Sequence, residues 1–81
     1  MNVRVQFYAQ LRELIGAHQL ELELPQGATV RELLEKIYAQ RSALRAHDKS
    51  ILVSAGLEFV DRNYKLNPGQ EIAIMPPVQG G

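Results

Sequence analysis

A chain of 81 residues without a single cysteine has neither a disulfide framework nor a thiolate zinc site, so whatever fold it adopts stands on packing alone. At this length a domain buries only about 60% of the surface its unfolded chain exposes, which allows one domain with one small core. A hydrophobic share of 46% is ordinary for such a core, and 22% charged residues with a formal net charge of zero argue against disorder. The neutral balance also lacks the basic excess that nucleic acid or an anionic membrane demands, so neither is expected as a partner. No stretch approaches the ~20 apolar residues that span a bilayer, and Met1-Asn2-Val3-Arg4-Val5 lacks the apolar run of a signal peptide. The cytoplasm is the expected location.

Val3, Val5 and Phe7 alternate with Arg4, Gln6 and Tyr8, which predicts a strand with one buried face and Tyr8 pointing outward. From Ala9 to Ile15 the spacing turns helical, with Leu11, Leu14 and Ile15 on one stripe and Gly16 as the stop. Leu20, Leu22 and Leu24 predict a second strand with Glu21 and Glu23 in solvent, closed by Pro25-Gln26-Gly27. Thr29 with Glu32 three residues on forms a capping box, so the main helix starts there, carries Val30, Leu33, Leu34 and Ile37 as its apolar stripe, and ends near Arg41. Ser42 to Ser50 lacks a clear period and is expected as loop with a helical turn around Ala43 to Ala46. Strands are expected at Ile51-Leu52-Val53 and Leu57 to Val60, with Gly56 at the tight point between them. Asp61-Arg62-Asn63 and Asn67-Pro68-Gly69 are turns, and Glu71 to Met75 is the last strand, with Ile72 and Ile74 inward and Ala73 and Met75 outward. This order suits an α+β domain with one helix packed across a mixed sheet.

Internal chemistry is sparse. His18 and His47 are the only histidines, are far apart, and have no second ligand at helical metal-site spacing beyond chance carboxylates, so they are expected as exposed loop residues. Three serines without a nucleophile elbow leave little to build a hydrolase pocket, and the six glycines form no G-x-G-x-x-G or P-loop. Glu21 with Glu23, and Arg31, Lys36, Arg41 and Arg45, read as solvated faces.

The tail Pro76-Pro77-Val78-Gln79-Gly80-Gly81 stands apart. Two prolines fix φ near −65° and favour an extended exit from the last strand, and six residues reach up to about 20 Å. Gly80 and Gly81 have no Cβ, so their backbone passes where no side chain fits. The result is a main-chain carboxylate at the tip of a probe. At neutral pH that carboxylate is ionised and unreactive, so another enzyme has to activate it, most directly as an acyl-adenylate. The activated carbonyl then takes sulfur to give a thiocarboxylate, or an amine to give an amide.

With those residues in view, the chain resembles the small, sulfur-carrying subunit of molybdopterin synthase. The matching pieces are Phe7-Tyr8-Ala9-Gln10-Leu11-Arg12-Glu13-Leu14-Ile15-Gly16 and Leu66-Asn67-Pro68-Gly69-Gln70-Glu71-Ile72-Ala73-Ile74-Met75-Pro76-Pro77-Val78-Gln79-Gly80-Gly81. The resemblance implies a ubiquitin-like β-grasp domain over residues 1–75, with about five strands and one main helix, followed by an extended, flexible tail over 76–81. It implies that Gly81 is adenylated by an E1-like activating enzyme that uses ATP, and that a sulfur donor protein then converts it to a thiocarboxylate. The tail enters the large synthase subunit, within a heterotetramer of two small and two large subunits, and delivers sulfur to cyclic pyranopterin monophosphate. No cofactor is expected to bind stably, and the catalytic groups are expected on the large subunit.

By strand parity Tyr8 and Met75 sit side by side if their strands pair in parallel, with Phe59 as a third apolar contact for the partner. Arg12 matches the family's arginine and is expected to meet a partner carboxylate, and Pro76, Pro77 and Val78 are expected to bind the partner as well. One departure is Ala55-Gly56, where the family frequently has Val-Asn, so the turn after the third strand is expected to be built differently. Three rival readings share the tail: a sulfur carrier for thiamine or another thiometabolite, a protein modifier that forms amide links to lysines, and an interaction module with an idle tail.

Overall fold

The structure is a computed structural model, and it describes residues 1–77. Strand β1 spans Asn2–Phe7, helix α1 Gln10–Ile15, strand β2 Gln19–Glu23, helix α2 Val30–Gln40, a 3₁₀ helix Ser42–His47, strand β3 Leu52–Ala55, strand β4 Glu58–Phe59 and strand β5 Glu71–Met75. The five strands form one sheet in the order β2-β1-β5-β3-β4. Only β1 and β5 run parallel, in the register Val5 to Ile72 and Phe7 to Ile74. The neighbouring pairings are antiparallel, so the sheet is mixed and β5, the last strand in sequence, lies at its centre. With α2 across one face, this is the mixed-sheet α+β domain read from the element order and the β-grasp arrangement that the resemblance implies.

The alternation of β1 buries Val3, Val5 and Phe7 almost completely. Ile72 and Ile74 of β5 bury beside them, and α2 adds Val30, Leu33, Leu34 and Ile37 from above. The start of α2 is closed reciprocally: Thr29 Oγ1 accepts from the Glu32 backbone N–H at 3.4 Å, and Glu32 Oε1 accepts from the Thr29 N–H at 3.2 Å. Removing that cap by Thr29→Ala is expected to cost about 1 kcal/mol. In a domain of this size the thermal midpoint then falls by roughly 4–8 °C, which differential scanning calorimetry measures.

Four expectations need correction. Leu14 is not in the core but 37% exposed, because α1 has only six residues: Leu11 and Ile15, four apart, share its buried face and leave Leu14 on the flank. The segment after α2 is a full 3₁₀ helix rather than loop around a single turn, held down by Leu44, which is completely buried. The third strand begins at Leu52, one residue later than expected, and runs on to Ala55. The strand expected over Leu57 to Val60 shrinks to Glu58–Phe59, since Gly56 and Leu57 are consumed by a two-residue turn between paired Ala55 and Glu58. Gly56 takes φ +64° at the first central position of that turn, a conformation glycine adopts without strain.

Tyr38, one turn on from Leu34, extends the α2 stripe and is also buried. Its hydroxyl donates to the Asp48 carboxylate, Arg62 donates to the Asp48 carbonyl, and the Arg45 guanidinium stacks 4.9 Å above the ring. Burial, reinforced by the hydrogen bond to Asp48, pushes the Tyr38 hydroxyl far above its ordinary range, so it stays neutral and serves as a structural donor.

Candidate functional site

The site is the point where the central strand runs out. β5 ends at Met75, and the chain passes through half-buried Pro76 to exposed Pro77. Val78, Gly80 and Gly81, named above as parts of the tail, lie outside the described residues.

The parallel pairing of β1 with β5 brings Tyr8 to Met75. Gln6 pairs with Ala73 and Phe7 with Ile74, and the Tyr8 N–H continues the ladder by donating to the Ile74 carbonyl at 3.1 Å, so the next outward pair is Tyr8 beside Met75. Tyr8 is 39% exposed, whereas Met75 is half-buried. On the other side of β5, Met75 pairs with Leu52 and Ala73 with Ser54, and Ser54 in turn pairs with Phe59. Paired residues share a face, so Tyr8, Met75, Leu52, Ala73 and Phe59 form one surface on the side of the sheet away from α2. Phe59, at 67% exposure, is its most open large apolar side chain, two strands away from Met75. Leu52 was not singled out from the sequence, although the parity of Ile51, Leu52, Val53, Ser54 and Ala55 contains it: the first, third and fifth are buried and the other two are not.

Arg12 stands behind this surface. Its Nε donates to the Phe7 carbonyl at 3.0 Å, and its guanidinium lies 5.6 Å from the centroid of the Tyr8 ring. It therefore ties α1 to the end of β1 and backs the Tyr8 ring. The Tyr8 hydroxyl donates to Gln6 Oε1 at 3.2 Å, which holds the ring along the sheet. Between Tyr8 and Gln10, Ala9 adopts φ +54° and ψ −139°, a region sparsely populated by residues with a Cβ, so the junction that orients Tyr8 and Arg12 is strained.

Among the described residues no group of three or more His, Cys, Asp or Glu is placed to hold a metal ion, and His18 and His47 are both exposed, the latter at the end of the 3₁₀ helix. Of the charges read as solvated faces, Glu21 pairs with Arg4 at 3.4 Å and Arg45 with Glu35 at 3.0 Å, all well exposed, whereas Arg41 is half-buried and donates its Nε–H to the Ile15 carbonyl at 2.9 Å. No helix of the described residues is long and apolar enough to cross a membrane.

Comparison with known proteins follows the same outline. A model of the ThiS family matches residues 5–81. The molybdopterin synthase sulfur carrier subunit of Chlamydomonas reinhardtii is 35% identical over the full length of both chains. SAMP1 from Haloferax volcanii superposes over the whole of both chains with a TM-score of 0.88 and 25% identity. A solved complex of subunits 1 and 2 of the molybdopterin-converting factor from Helicobacter pylori contains a chain that matches end to end with a TM-score of 0.71, and at 23% identity that likeness shows the shared fold.

Proposed function

The chain belongs to the ThiS family, alongside the molybdopterin synthase sulfur carrier subunits, and from that premise we propose that it carries sulfur for molybdopterin synthesis on the carboxylate of Gly81. One observation carries the reading. The central strand delivers the chain through Pro76-Pro77 beside an apolar surface of Tyr8, Met75, Leu52 and Phe59, so a protein that received the tail would have a surface to dock on.

In this reading an E1-like enzyme binds the domain and ATP together. A Gly81 carboxylate oxygen attacks the α-phosphate, pyrophosphate leaves, and the acyl-adenylate forms. The terminal sulfur of a persulfide on a donor protein then attacks the acyl carbon and AMP departs with the original oxygen, leaving an acyl disulfide. A thiol attacks the donor-side sulfur, forms a disulfide with the donor and releases the Gly81 thiocarboxylate. The loaded tail enters the large subunit of the synthase, where the sulfur passes to cyclic pyranopterin monophosphate. The name of the C. reinhardtii relative and the paired subunits of the H. pylori factor support a larger partner subunit. This chain contributes the carrier group, a backbone without Cβ at Gly80 and Gly81, and the docking face; ATP is the activating enzyme's substrate, in the cytoplasm. The expected assembly has two small and two large subunits.

Reconstitution tests the assignment. Thiocarboxylated chain mixed with purified large subunit and the cyclic precursor is expected to yield molybdopterin; a loaded chain that leaves the precursor unchanged would assign the sulfur to thiamine or another thiometabolite instead. The docking face makes a separate prediction. Phe59→Asp is expected to weaken binding to the large subunit by about 1–4 kcal/mol, as loss of an interface anchor does, with the thermal midpoint unchanged because the side chain is two-thirds exposed. Titration calorimetry of variant against wild type measures it.

A further inference from the structure

On the helix side of the tail's root lies a second apolar surface that the sulfur-carrier reading does not use. A shallow groove of about 560 Å³ opens between α1, the end of the 3₁₀ helix and the departing chain. Leu14, Ile51, Pro76 and Pro77 form its apolar walls, with Glu13 and His47 on the rim. Its volume is that of a pocket able to take one or two large side chains. Leu14 is the open element: its α1 neighbours Leu11 and Ile15 are buried, while Leu14 remains 37% exposed in the groove wall. Glu13 makes no ion pair among the described residues.

Resting on the sulfur-carrier reading, we infer that this groove is a docking pocket for the large subunit, filled by an apolar side chain with a cationic neighbour that meets Glu13. Position carries the inference. Residues 78–81 span at most about 14 Å beyond Pro77, so a channel that receives Gly81 has its mouth close to Pro77, and Pro76 and Pro77 are themselves groove wall. The same mouth therefore meets Met75 and Tyr8 on the sheet side and Leu14 on the helix side. Groove and sheet surface together form an apolar collar around the tail's root, and a subunit that closes on one face of the collar reaches the other. The unpaired carboxylate of Glu13 sets the charge of the partner group beside the anchor.

Titration of the full chain with purified large subunit, for wild type, Leu14→Glu and Leu57→Glu, tests this. Leu57 is fully exposed at the β3–β4 turn and lies off the groove, so its variant is the control for added charge. Leu14→Glu is expected to weaken binding by about tenfold or more at a temperature where its thermal transition shows it fully folded, while Leu57→Glu stays within about twofold of wild type. If Leu14→Glu binds like wild type, the groove is not a docking pocket and the sulfur-carrier reading still stands. A wild-type chain that does not bind the large subunit at all sinks both. Two further results overturn the pocket by giving it another occupant. One is a shift of the Leu14 and Ile51 methyl resonances, without partner, on shortening the chain to Pro77, which assigns the groove to the chain's own tail. The other is a concentration-dependent dimer that Leu14→Glu abolishes, which assigns it to a second copy.

Discussion

Deletion of Gly81, or Gly81→Ala, is expected to abolish sulfur loading while leaving the melting transition and docking to the large subunit nearly unchanged. The size of the effect follows from where the chemistry sits. On the sulfur-carrier reading the terminal carboxylate is the reacting group; among the described residues no His, Cys, Asp and Glu cluster is placed to hold a metal ion, and Tyr38 is a neutral donor to Asp48. Deletion moves the carboxylate back by up to about 3.6 Å, far outside the tolerance of a reaction in which a misplacement of about 1 Å can cost a hundredfold. The alanine variant keeps the reach but adds a Cβ where the channel is expected to admit backbone alone. Thiocarboxylate formation, assayed with activating enzyme, ATP and a sulfur source, measures the loss, and calorimetry measures the fold. Unfolding of either variant would contradict the separation of tail from domain.

Phe7→Ala is the corresponding change on the side of stability. Phe7 is almost completely buried in β1, next to the strand that leads into the tail, and its carbonyl receives the Arg12 Nε–H. Truncation of a buried phenylalanine costs about 3–5 kcal/mol through lost transfer energy and the cavity left behind. A domain of this length has a total stability of only about 4–12 kcal/mol at the usual 0.05–0.15 kcal/mol per residue. Urea unfolding is expected to show the midpoint falling by a large fraction, with the slope unchanged. A loss under about 1 kcal/mol would mean that the β1–β5 core is not the chief support of the fold. Sulfur loading at low temperature, where the variant is still folded, is expected to survive.

The two predictions separate what was legible in the sequence from what was not. Strict alternation exposed β1, β2 and β5, because a half-buried strand has no freedom over which residues face in, and Thr29 with Glu32 announced α2 because a capping box satisfies donors that no other local arrangement satisfies as well. Parity then brought Tyr8 to Met75, once the strands pair in parallel. Short elements were harder to read. Six residues of α1 are too few to show which of three apolar positions faces the core, so Leu14 was misplaced, and a single buried leucine in two 3₁₀ turns leaves no period to detect in Ser42–His47. Leu44 and Tyr38 reach the core through tertiary contacts that local spacing does not announce. Arg12 illustrates the same limit at the site. Its place in a motif suggested a partner; its bond to the Phe7 carbonyl and its stacking on Tyr8 are a further role that comes from the turn at Ala9, which only the folded chain brings together.

The central claim, that the working group is the terminal carboxylate of Gly81, is open to one direct measurement: intact mass of the purified chain after incubation with an E1-like enzyme, ATP and a sulfur donor. The expected spectrum shows a single species heavier by the replacement of one oxygen with sulfur, localised to the C-terminal peptide and absent without ATP. An unchanged mass under conditions that load a known carrier would contradict it, whereas amide conjugates of higher mass would keep Gly81 as the working group and contradict sulfur as its cargo.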